Sequence, residues 1–469
     1  MSDQPELKSS VVVAGAGLVG SLLAIFLARR GRDVELHERR ADPRIDTLTA
    51  GKSINLALST RGLHALRAVG LEEAVLEQSI PMRGRMIHSR QGVLTFQAYG
   101  QNDSECIYSV SRGGLNRTLL AAAQDTGRVR CHFQSRAVGL DPLRRTVRFA
   151  DDARGGAEHD VHTAALFGTD GAHSVLRAEL LGRRAAAGTE SLLNYGYKEL
   201  HIPPGPGGAF RLEANALHIW PRGTYMLIAL PNQDGSFTAT LFLPLAGAAS
   251  FATLTDEAAV SSFFAENFAD ARTLIRDFPR AFFANPTGHM VTVKCAPWNL
   301  GDWGLLVGDA AHAIVPFFGQ GMNCGFEDCT LLDRLMGSGP EWADGTFAAF
   351  SELRKPDADA IADLAVENFI EMRDKVGDPR FLLEKEVEKR LEREMPGEYL
   401  SRYRLVTFHR VAYRLALEVS GIQDRLLHEL CAGLTTAAEL DLPHARALVR
   451  ERLGSRLATF HPTAPTANP

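Results

Sequence analysis

The opening of the chain sets short apolar runs against glycine-rich breaks. Residues 11–14 (VVVA) have the length and flanks of a buried strand, and residues 15–20 (GAGLVG) form a tight turn. Residues 21–29 follow helical spacing, and 33–37 read as a second strand ending in Glu38. Residues 11–28 carry no charge over the length at which a membrane span or a signal sequence must be weighed. Two acids lie ahead, no small-residue cleavage site follows and three glycines sit inside, so strand, turn and helix are the better reading.

Residues 50–59 (AGKSINLALS) alternate polar and apolar after a glycine and predict a strand, while 60–69 and 71–78 carry short helical patterns. Two alternating segments, 85–89 and 93–99, flank Arg90-Gln91-Gly92 and predict a hairpin with a three-residue loop. Residues 109–112 lead into a helix from Leu115, and 163–177 give a strand, an Asp170-Gly171 turn and a helix start at Ser174. The β-rich runs 216–220, 225–230 and 237–243 are joined by Pro221-Arg222-Gly223 and Gln233-Asp234-Gly235 and predict an antiparallel meander. Residues 305–307 form an apolar run that breaks into Gly308-Asp309. An apolar loop, 314–318, and Gly319-Gln320-Gly321-Met322-Asn323 then precede a helix starting at 325–328. Beyond Asp328 the spacing is helical: 357–376 after Pro356, 382–393, 399–419 and 424–434. A Pro/Thr/Ala-rich tail, 461–469, is expected to be disordered, and no internal repeat is visible.

These elements predict an α/β fold: a Rossmann-like FAD-binding domain with an inserted antiparallel β-sheet substrate domain and a C-terminal helical region. The expected division is 1–180 for the first part of the cofactor domain, with the 85–99 hairpin contributing to the substrate pocket, and 181–295 for the β-rich substrate domain. Residues 296–350 form the return segment, 351–460 the helical region and 461–469 the tail.

Three strand ends carry the chemistry. A glycine-rich turn feeding a helix N-terminus binds anions, because free N–H groups point outward and a side chain would obstruct the approach. Gly15, Gly17, Leu18, Val19 and Gly20 make such a turn, and Glu38, eighteen residues after Gly20, takes ribose hydroxyls. Arg39 and Arg40 leave a 2′-phosphate, and hence NADP, as the rival within that reading. Gly308-Asp309, followed by Gly321, Met322 and Asn323, decides for FAD: Asp309 suits a ribityl hydroxyl, for which a nicotinamide domain has no need. Asp170 marks a third turn, and Ala57 lies on the 50–59 strand, expected beside the flavin or, more plainly, at a sheet edge.

Composition works by exclusion. The 469 residues, 45% hydrophobic and 23% charged, suffice for two or three domains with a large core. A net charge of −5, without a dense Lys/Arg run, argues against a nucleic-acid partner. Six cysteines without a CxxC pair or a nearby histidine ligand set read as free thiols of a reducing cytosol, and no metal site is expected.

Arg85 and Tyr99 share a parity on the hairpin, so both can project from one face as a carboxylate clamp, although a solvated arginine packed on a tyrosine fits equally well. Arg83 has the same parity and is expected nearer the open end, past the reach of Tyr99. Asn368 and Glu371 interrupt the apolar stripe of Ile361, Leu364 and Ala365, so they either satisfy each other or line a pocket. Tyr403 falls on the 399–419 helix, and the loop beginning Pro316-Phe317 is a candidate pocket wall. His312 reads as structural rather than as a base, and no catalytic side chain is expected, since the flavin carries the chemistry.

With these motifs in hand, the chain resembles the single-component FAD-dependent aromatic hydroxylases, and within them the kynurenine-hydroxylating branch. The blocks GKSINLALSTRGLHALRAVGLEEAV, PMRGRMIHS, SVSRGGLNR, NYGYKEL, ALHIWPRGTYMLIALPNQDGSFTATLF, GDAAHAIVPFFGQGMN and ENFIEMRDKV carry that likeness. The resemblance implies hydroxylation of L-kynurenine by O2 with FAD as cofactor and NADPH as co-substrate, through a peroxide on the flavin ring. It also implies that Arg85 and Tyr99 hold the amino-acid carboxylate, that Asn368 and Tyr403 close the pocket and that Glu371 lies near the substrate end. Glu38, Arg112, Asp309, Met322 and Asn323 match flavin contacts. No apolar C-terminal run matches the membrane anchor of mitochondrial members, so a cytoplasmic enzyme without a membrane anchor is expected, with a homodimer left open. A relative acting on another aromatic or a lipid, and a non-catalytic flavoprotein redox sensor, are the alternatives.

Overall fold

A computed structural model describes residues 10–45, 55–102, 104–182, 187–372 and 378–457. The expected tail, the 50–54 part of the strand containing Ala57 and the end of the helix read to 376 lie outside the described residues.

The apolar runs at the start and after Gly304 meet in one sheet. Its order is Asn299–Leu300, Gly304–Leu306, Leu166–Gly168, Val11–Ala14, Val34–Glu38, Val129–Phe133, parallel throughout except at the Asn299–Leu300 edge. All four residues of Val11–Ala14 are buried, as a central parallel strand covered on both faces must be. The uncharged stretch after them is the helix Leu18–Arg29, ten of whose twelve residues are buried. Among the described residues no helix is long and apolar enough to cross a membrane.

The second large sheet runs Thr287–Ala296, Ala187–Ile202, Phe237–Pro244, Met226–Pro231, Ala216–Pro221, Gly84–His88, Leu94–Ala98. The predicted meander is its centre, and the hairpin, although early in sequence, is its edge, joined to Ala216–Pro221 by parallel pairing. Strand alternation splits its side chains between two cores: Leu241 and Leu243 pack with Phe264 and Phe268 behind the sheet, whereas Phe242 faces Phe317, Phe369 and the C-terminal helices. Smaller sheets, Asn55–Leu58 with Ile107–Ser111 and Ser79–Met82, and Ser135–Asp141 with Thr146–Asp151 and Ala157–His162, complete the β-structure.

Several boundaries differ from those predicted. The helix expected from Leu115 is Arg112–Asp125, because the Ser111 hydroxyl caps it by accepting from Gly114 N–H. The helix expected at residues 325–328 is Gly321–Leu335, which puts Gly321, Met322 and Asn323 in its first turn. Thr346–Ile370 runs through Pro356 instead of starting after it. Pro356 is exposed, so the carbonyl deprived of its N–H partner faces water. The 399–419 pattern splits into Arg402–Thr407 and Tyr413–Leu430. Its break is taken up by Arg61, whose guanidinium collects the carbonyls of Val406 and Val411.

Candidate active site

The three turns lie at the carboxyl ends of three adjacent parallel strands, Val11–Ala14, Leu166–Gly168 and Gly304–Leu306. Two glycines of the first turn are demanded by the chain itself. A Cβ on Gly15, whose φ is +109°, would sit 2.4 Å from the Thr169 carbonyl oxygen, and one on Gly20 would sit 1.9 Å from that of Gly15. Gly17, the N-cap of helix Leu18–Arg29, differs: a Cβ there would meet nothing within 4 Å. That open face at a helix N-terminus is where a pyrophosphate fits. Leu18 is buried, and Val19 packs against Gly308 and Gly325, where a Cβ would come within 3.1 and 2.6 Å of its side chain. The first and last motifs of the cofactor domain are thus in contact.

The candidate cofactor residues divide into free and engaged groups. Asp309 is exposed between buried Gly308 and Ala310 and makes no hydrogen bond or ion pair with the described residues. Arg39 is exposed, and so is Arg112, whose charge reaches Tyr197 and Glu199 of strand Ala187–Ile202. Glu38 accepts Ala16 N–H and Arg40 N–H, each at 3.0 Å, and so fastens the glycine turn. Asp170 accepts from Ser174 Oγ at 2.5 Å and Leu176 N–H at 3.3 Å, capping helix Val175–Gly182, and burial raises its pKa. Asn323 is fully used: its Oδ1 accepts Ser59 N–H at 2.9 Å, and its Nδ2 donates to the Ala57 and Gly319 carbonyls at 2.8 Å. Asn323 therefore ties the Ala57 strand to the loop after Phe318, while Met322 stays half-buried beside it.

The predicted substrate residues meet between the hairpin, the 316–319 loop and the C-terminal helices. The Arg85 guanidinium carbon lies 5.5 Å from the Tyr99 ring centre and 4.9 Å from that of Tyr403. Tyr99 and Tyr403 stack at 5.0 Å and 12°, and Tyr403 continues the column onto Phe318 at 5.9 Å and 15°. Burial works against the charge on Arg85, but the surrounding Tyr99, Tyr403 and Glu371 raise its pKa above the ordinary value. No carboxylate of the described residues forms an ion pair with it. The Tyr99 hydroxyl is buried without a well-formed hydrogen bond, and burial raises its pKa. Met82, Ile107 and Leu230 pack around Tyr99. A cation and a phenol held among apolar and aromatic side chains, neither in an ion pair with a carboxylate of the described residues, have the chemistry to accept hydrogen-bonding anions such as a carboxylate.

The hairpin register departs from the expected one. Arg85 pairs with Gln97, one ladder step from Tyr99, whereas Tyr99 N–H donates to the Arg83 carbonyl at 3.0 Å. Arg83 is therefore the residue opposite Tyr99, not one beyond its reach. Its side chain is nonetheless exposed, because the chain passes from strand Ser79–Met82 of one sheet to Gly84–His88 of another at that residue.

Asn368 is buried and donates from Nδ2 to the Phe317 carbonyl at 2.7 Å, so it holds the loop rather than pairing with Glu371. Pro316 opens that loop's helical turn, Pro316–Phe318, and Phe317 stacks on Phe369 at 4.1 Å. Glu371 lies 3.3 Å from Lys385 Nζ and 3.9 Å from Arg402 Nη1. His312 is buried, 2.6 Å from Asp328 Oδ2, and Asp328 also accepts from Arg354 Nε at 2.7 Å and Gly308 N–H at 3.1 Å. Against burial, His312 and Arg354 hold the Asp328 carboxyl down to about 2, and Asp328 in turn raises His312 well above its ordinary value. This cluster fixes the Gly308 turn, so His312 is structural. His312, Cys324 and Asp328 approach one another closely enough for a metal. Arg354, however, donates to Cys324 Sγ at 3.2 Å and fills that space with positive charge. Sequence reasoning did not single out Phe318 or Phe369, although each directly follows a candidate residue, Phe317 and Asn368, nor Thr407, whose buried hydroxyl makes no well-formed hydrogen bond.

A family model described as FAD binding domain matches residues 8–220 and 275–363. The kynurenine 3-monooxygenase of Myxococcus xanthus (strain DK1622) is 56% identical over 446 residues, covering 95% of this chain and 96% of that protein. That of Xanthomonas axonopodis pv. citri (strain 306) is 46% identical over 449 residues, covering 96% and 98%. Among solved structures, the tetrameric form of 2-methyl-3-hydroxypyridine-5-carboxylic acid oxygenase superposes with a TM-score of 0.64 at 21% identity, over 81% of this chain and 96% of that one. That likeness concerns the fold alone.

Proposed function

The chain belongs to the kynurenine 3-monooxygenase family, and from that premise we propose how its own residues serve the FAD-dependent hydroxylation of L-kynurenine. The open face at Gly17 and the unpaired carboxylate of Asp309 fit FAD, with Gly15, Gly20, Glu38, Ala57, Gly308, Gly321, Met322 and Asn323 shaping the cradle. Arg112 would reach it from the start of its helix, Arg39 from its edge and Asp170 through the turn that it caps. When bound, the flavin supplies the oxygen-activating redox chemistry. NADPH is the reductant in this reading and O2 the oxidant: one oxygen atom enters the ring, the other leaves as water, and NADPH with one proton yields NADP+.

The observation that carries the substrate reading is the Arg85–Tyr99–Tyr403 cage, whose Tyr99 phenol makes no well-formed hydrogen bond. Arg85 binds the amino-acid carboxylate through two parallel charge-assisted bonds, and Tyr99 Oη–H donates a third. Tyr403 and Phe317 flank the aromatic end and exclude water, which a reaction with activated oxygen requires. Asn368 holds the 316–318 loop over the ring through the Phe317 carbonyl. Glu371 accepts from the substrate ammonium, with Lys385 and Arg402 fixing its orientation. We also assign the enzyme to the cytoplasm, a reading supported by six cysteines that are all free.

The test follows NADPH oxidation and product formation with and without L-kynurenine. The expected result is substrate-stimulated oxidation coupled to 3-hydroxykynurenine. Equal oxidation without substrate, yielding only hydrogen peroxide, refutes it.

A further inference from the structure

Strand Gly84–His88 presents Arg85 on one face and, three residues on, His88 on the other. His88 is 2% exposed. Its Nδ1 lies 2.9 Å from Asp270 Oδ2 and its Nε2 lies 2.9 Å from His218 Nδ1, while His218 Nε2 lies 2.8 Å from the Glu213 carbonyl oxygen. Trp220 closes the arrangement: its ring stacks on His88 at 3.9 Å and 26°, and its Nε1–H donates to the same Asp270 oxygen at 2.8 Å.

The protons of this chain can be counted. A carbonyl only accepts, so His218 Nε2 carries a hydrogen; an ionised carboxylate only accepts, so His88 Nδ1 carries one; and the contact between the rings needs a third. Three hydrogens on two imidazoles make one positive charge, which Asp270 balances and the indole face favours. The carboxylate that balances this charge and the indole face that favours it both lie against His88 rather than His218, which places the charge on His88. Against burial, His88 and Trp220 hold the Asp270 carboxyl down to about 2, and burial holds His218 down to about 4. The other ionic groups nearby are Arg222, whose Nη1 donates to the His88 carbonyl at 3.0 Å, Arg90 beside Arg222, and the Glu213 carboxylate beside His218.

The chain also fastens both ends of the strand. At one end stand His88 and the Arg222 bond to its carbonyl. At the other, the segment begun by Glu213 places Asn215, whose carbonyl accepts Arg83 N–H at 2.9 Å and whose Nδ2 donates to the Pro81 carbonyl at 2.8 Å. Arg85 lies between the two anchors.

We propose that His88 is a positioning residue for the substrate clamp: an imidazolium between Asp270 and His218 that holds the Arg85 strand, and whose loss of a proton as the pH rises loosens the grip on the amino-acid carboxylate without disturbing the flavin. The proposal rests on Arg85 binding that carboxylate.

Two measurements on the holoenzyme test it. Long-range 1H–15N spectra of protein labelled at histidine, assigned with His88→Gln and His218→Gln, should show both His88 nitrogens protonated at pH 7 and one deprotonating at higher pH. A His88 with one bare nitrogen at pH 7 overturns the proposal whatever the role of Arg85. The KM for L-kynurenine should then rise several-fold in wild type relative to His88→Gln over the same pH interval. The variant should have a raised KM free of that step, with kcat and FAD occupancy within about twofold of wild type. In Asp270→Asn, which lacks the counter-charge, the step should move to lower pH. A step that persists in His88→Gln, or a variant in which kcat and FAD occupancy fall together with the rise in KM, refutes the coupling. Arg85→Met separates the two readings, since an unchanged KM there removes the clamp but not the protonated chain.

Discussion

Replacing Arg85 by methionine keeps an unbranched, apolar stem beside Tyr99 and Tyr403 but removes the guanidinium that lies against their rings. Among the described residues no carboxylate forms an ion pair with Arg85, so the loss falls on the ligand and not on such a salt bridge. A carboxylate left unpaired in a largely desolvated cage costs about 3–5 kcal/mol. At about 1.4 kcal/mol per tenfold, that is roughly two to four decades in affinity. The KM for L-kynurenine, and the Kd from perturbation of the flavin spectrum, should each rise by at least about a hundredfold, with the flavin still bound. Arg85→Lys should recover only part, since an ammonium cannot reproduce the two-pronged contact. Tyr99→Phe should cost about 1–2 kcal/mol of binding. It should leave the melting temperature of the free enzyme nearly unchanged, because that hydroxyl makes no well-formed internal hydrogen bond to lose. Arg83→Met is the control: its backbone pairs with Tyr99 but its side chain is exposed, so KM should change by less than about threefold. A near-normal KM in Arg85→Met, or a crippled Arg83→Met, refutes the placement of the clamp.

Gly20→Ala should fail to fold or melt far lower, because its Cβ would lie 1.9 Å from a backbone oxygen, whereas Gly17→Ala should fold normally as apoprotein yet bind FAD markedly less tightly; thermal melts with and without FAD distinguish them, and equal behaviour of the two variants contradicts the cradle. Asp309→Ala should reduce flavin occupancy, read from absorbance, while leaving the apoprotein melt unchanged, and full retention would show that the turn is only structural. The Asp328 pKa, depressed to about 2, contributes stability that is present above the ordinary carboxylate value and lost as the pH falls through about 4 to 2. The raised pKa of His312 contributes stability that is complete below about 6.5 and lost as the pH rises toward its folded value. Calorimetry should therefore show His312→Asn less stable, with a shallower alkaline decline than wild type, and an unaltered decline would remove His312 as its source.

The parts of this fold that were legible in the sequence are those where local chemistry dictates conformation. The turns at Gly15, Asp170 and Gly308 each follow a short apolar strand, and their glycines, Gly17 apart, occupy positions where a side chain collides or the backbone needs a positive φ. The hairpin was legible from its alternation and from Gly92, whose φ of +80° closes the loop. What escaped depends on distant partners. Ala187–Ile202 lies between Thr287–Ala296, which follows the whole meander in sequence, and Phe237–Pro244, and its polar-edged sequence acquires strand character from those two pairings. The position of Arg83 was misjudged because a strand appears continuous in sequence even where its two halves join different sheets. Asn368 and Glu371 could be read as a mutual pair or as a pocket lining, and the pair does not form: the first is claimed by a loop carbonyl and the second by Lys385 and Arg402, neither of which lies within a helical turn of it.

The 316–319 loop joins the proposed flavin cradle to the proposed amino-acid cage: Asn323 grips the Gly319 carbonyl from the cofactor side and Asn368 grips that of Phe317 from the substrate side. Elsewhere the two sets of residues are carried by separate elements. Substrate choice can therefore drift, through changes on the hairpin and the C-terminal helices, while the flavin apparatus stays constant. Variation in this loop faces selection from both sides at once, which makes its few residues the place where a new specificity and an intact cofactor are hardest to reconcile.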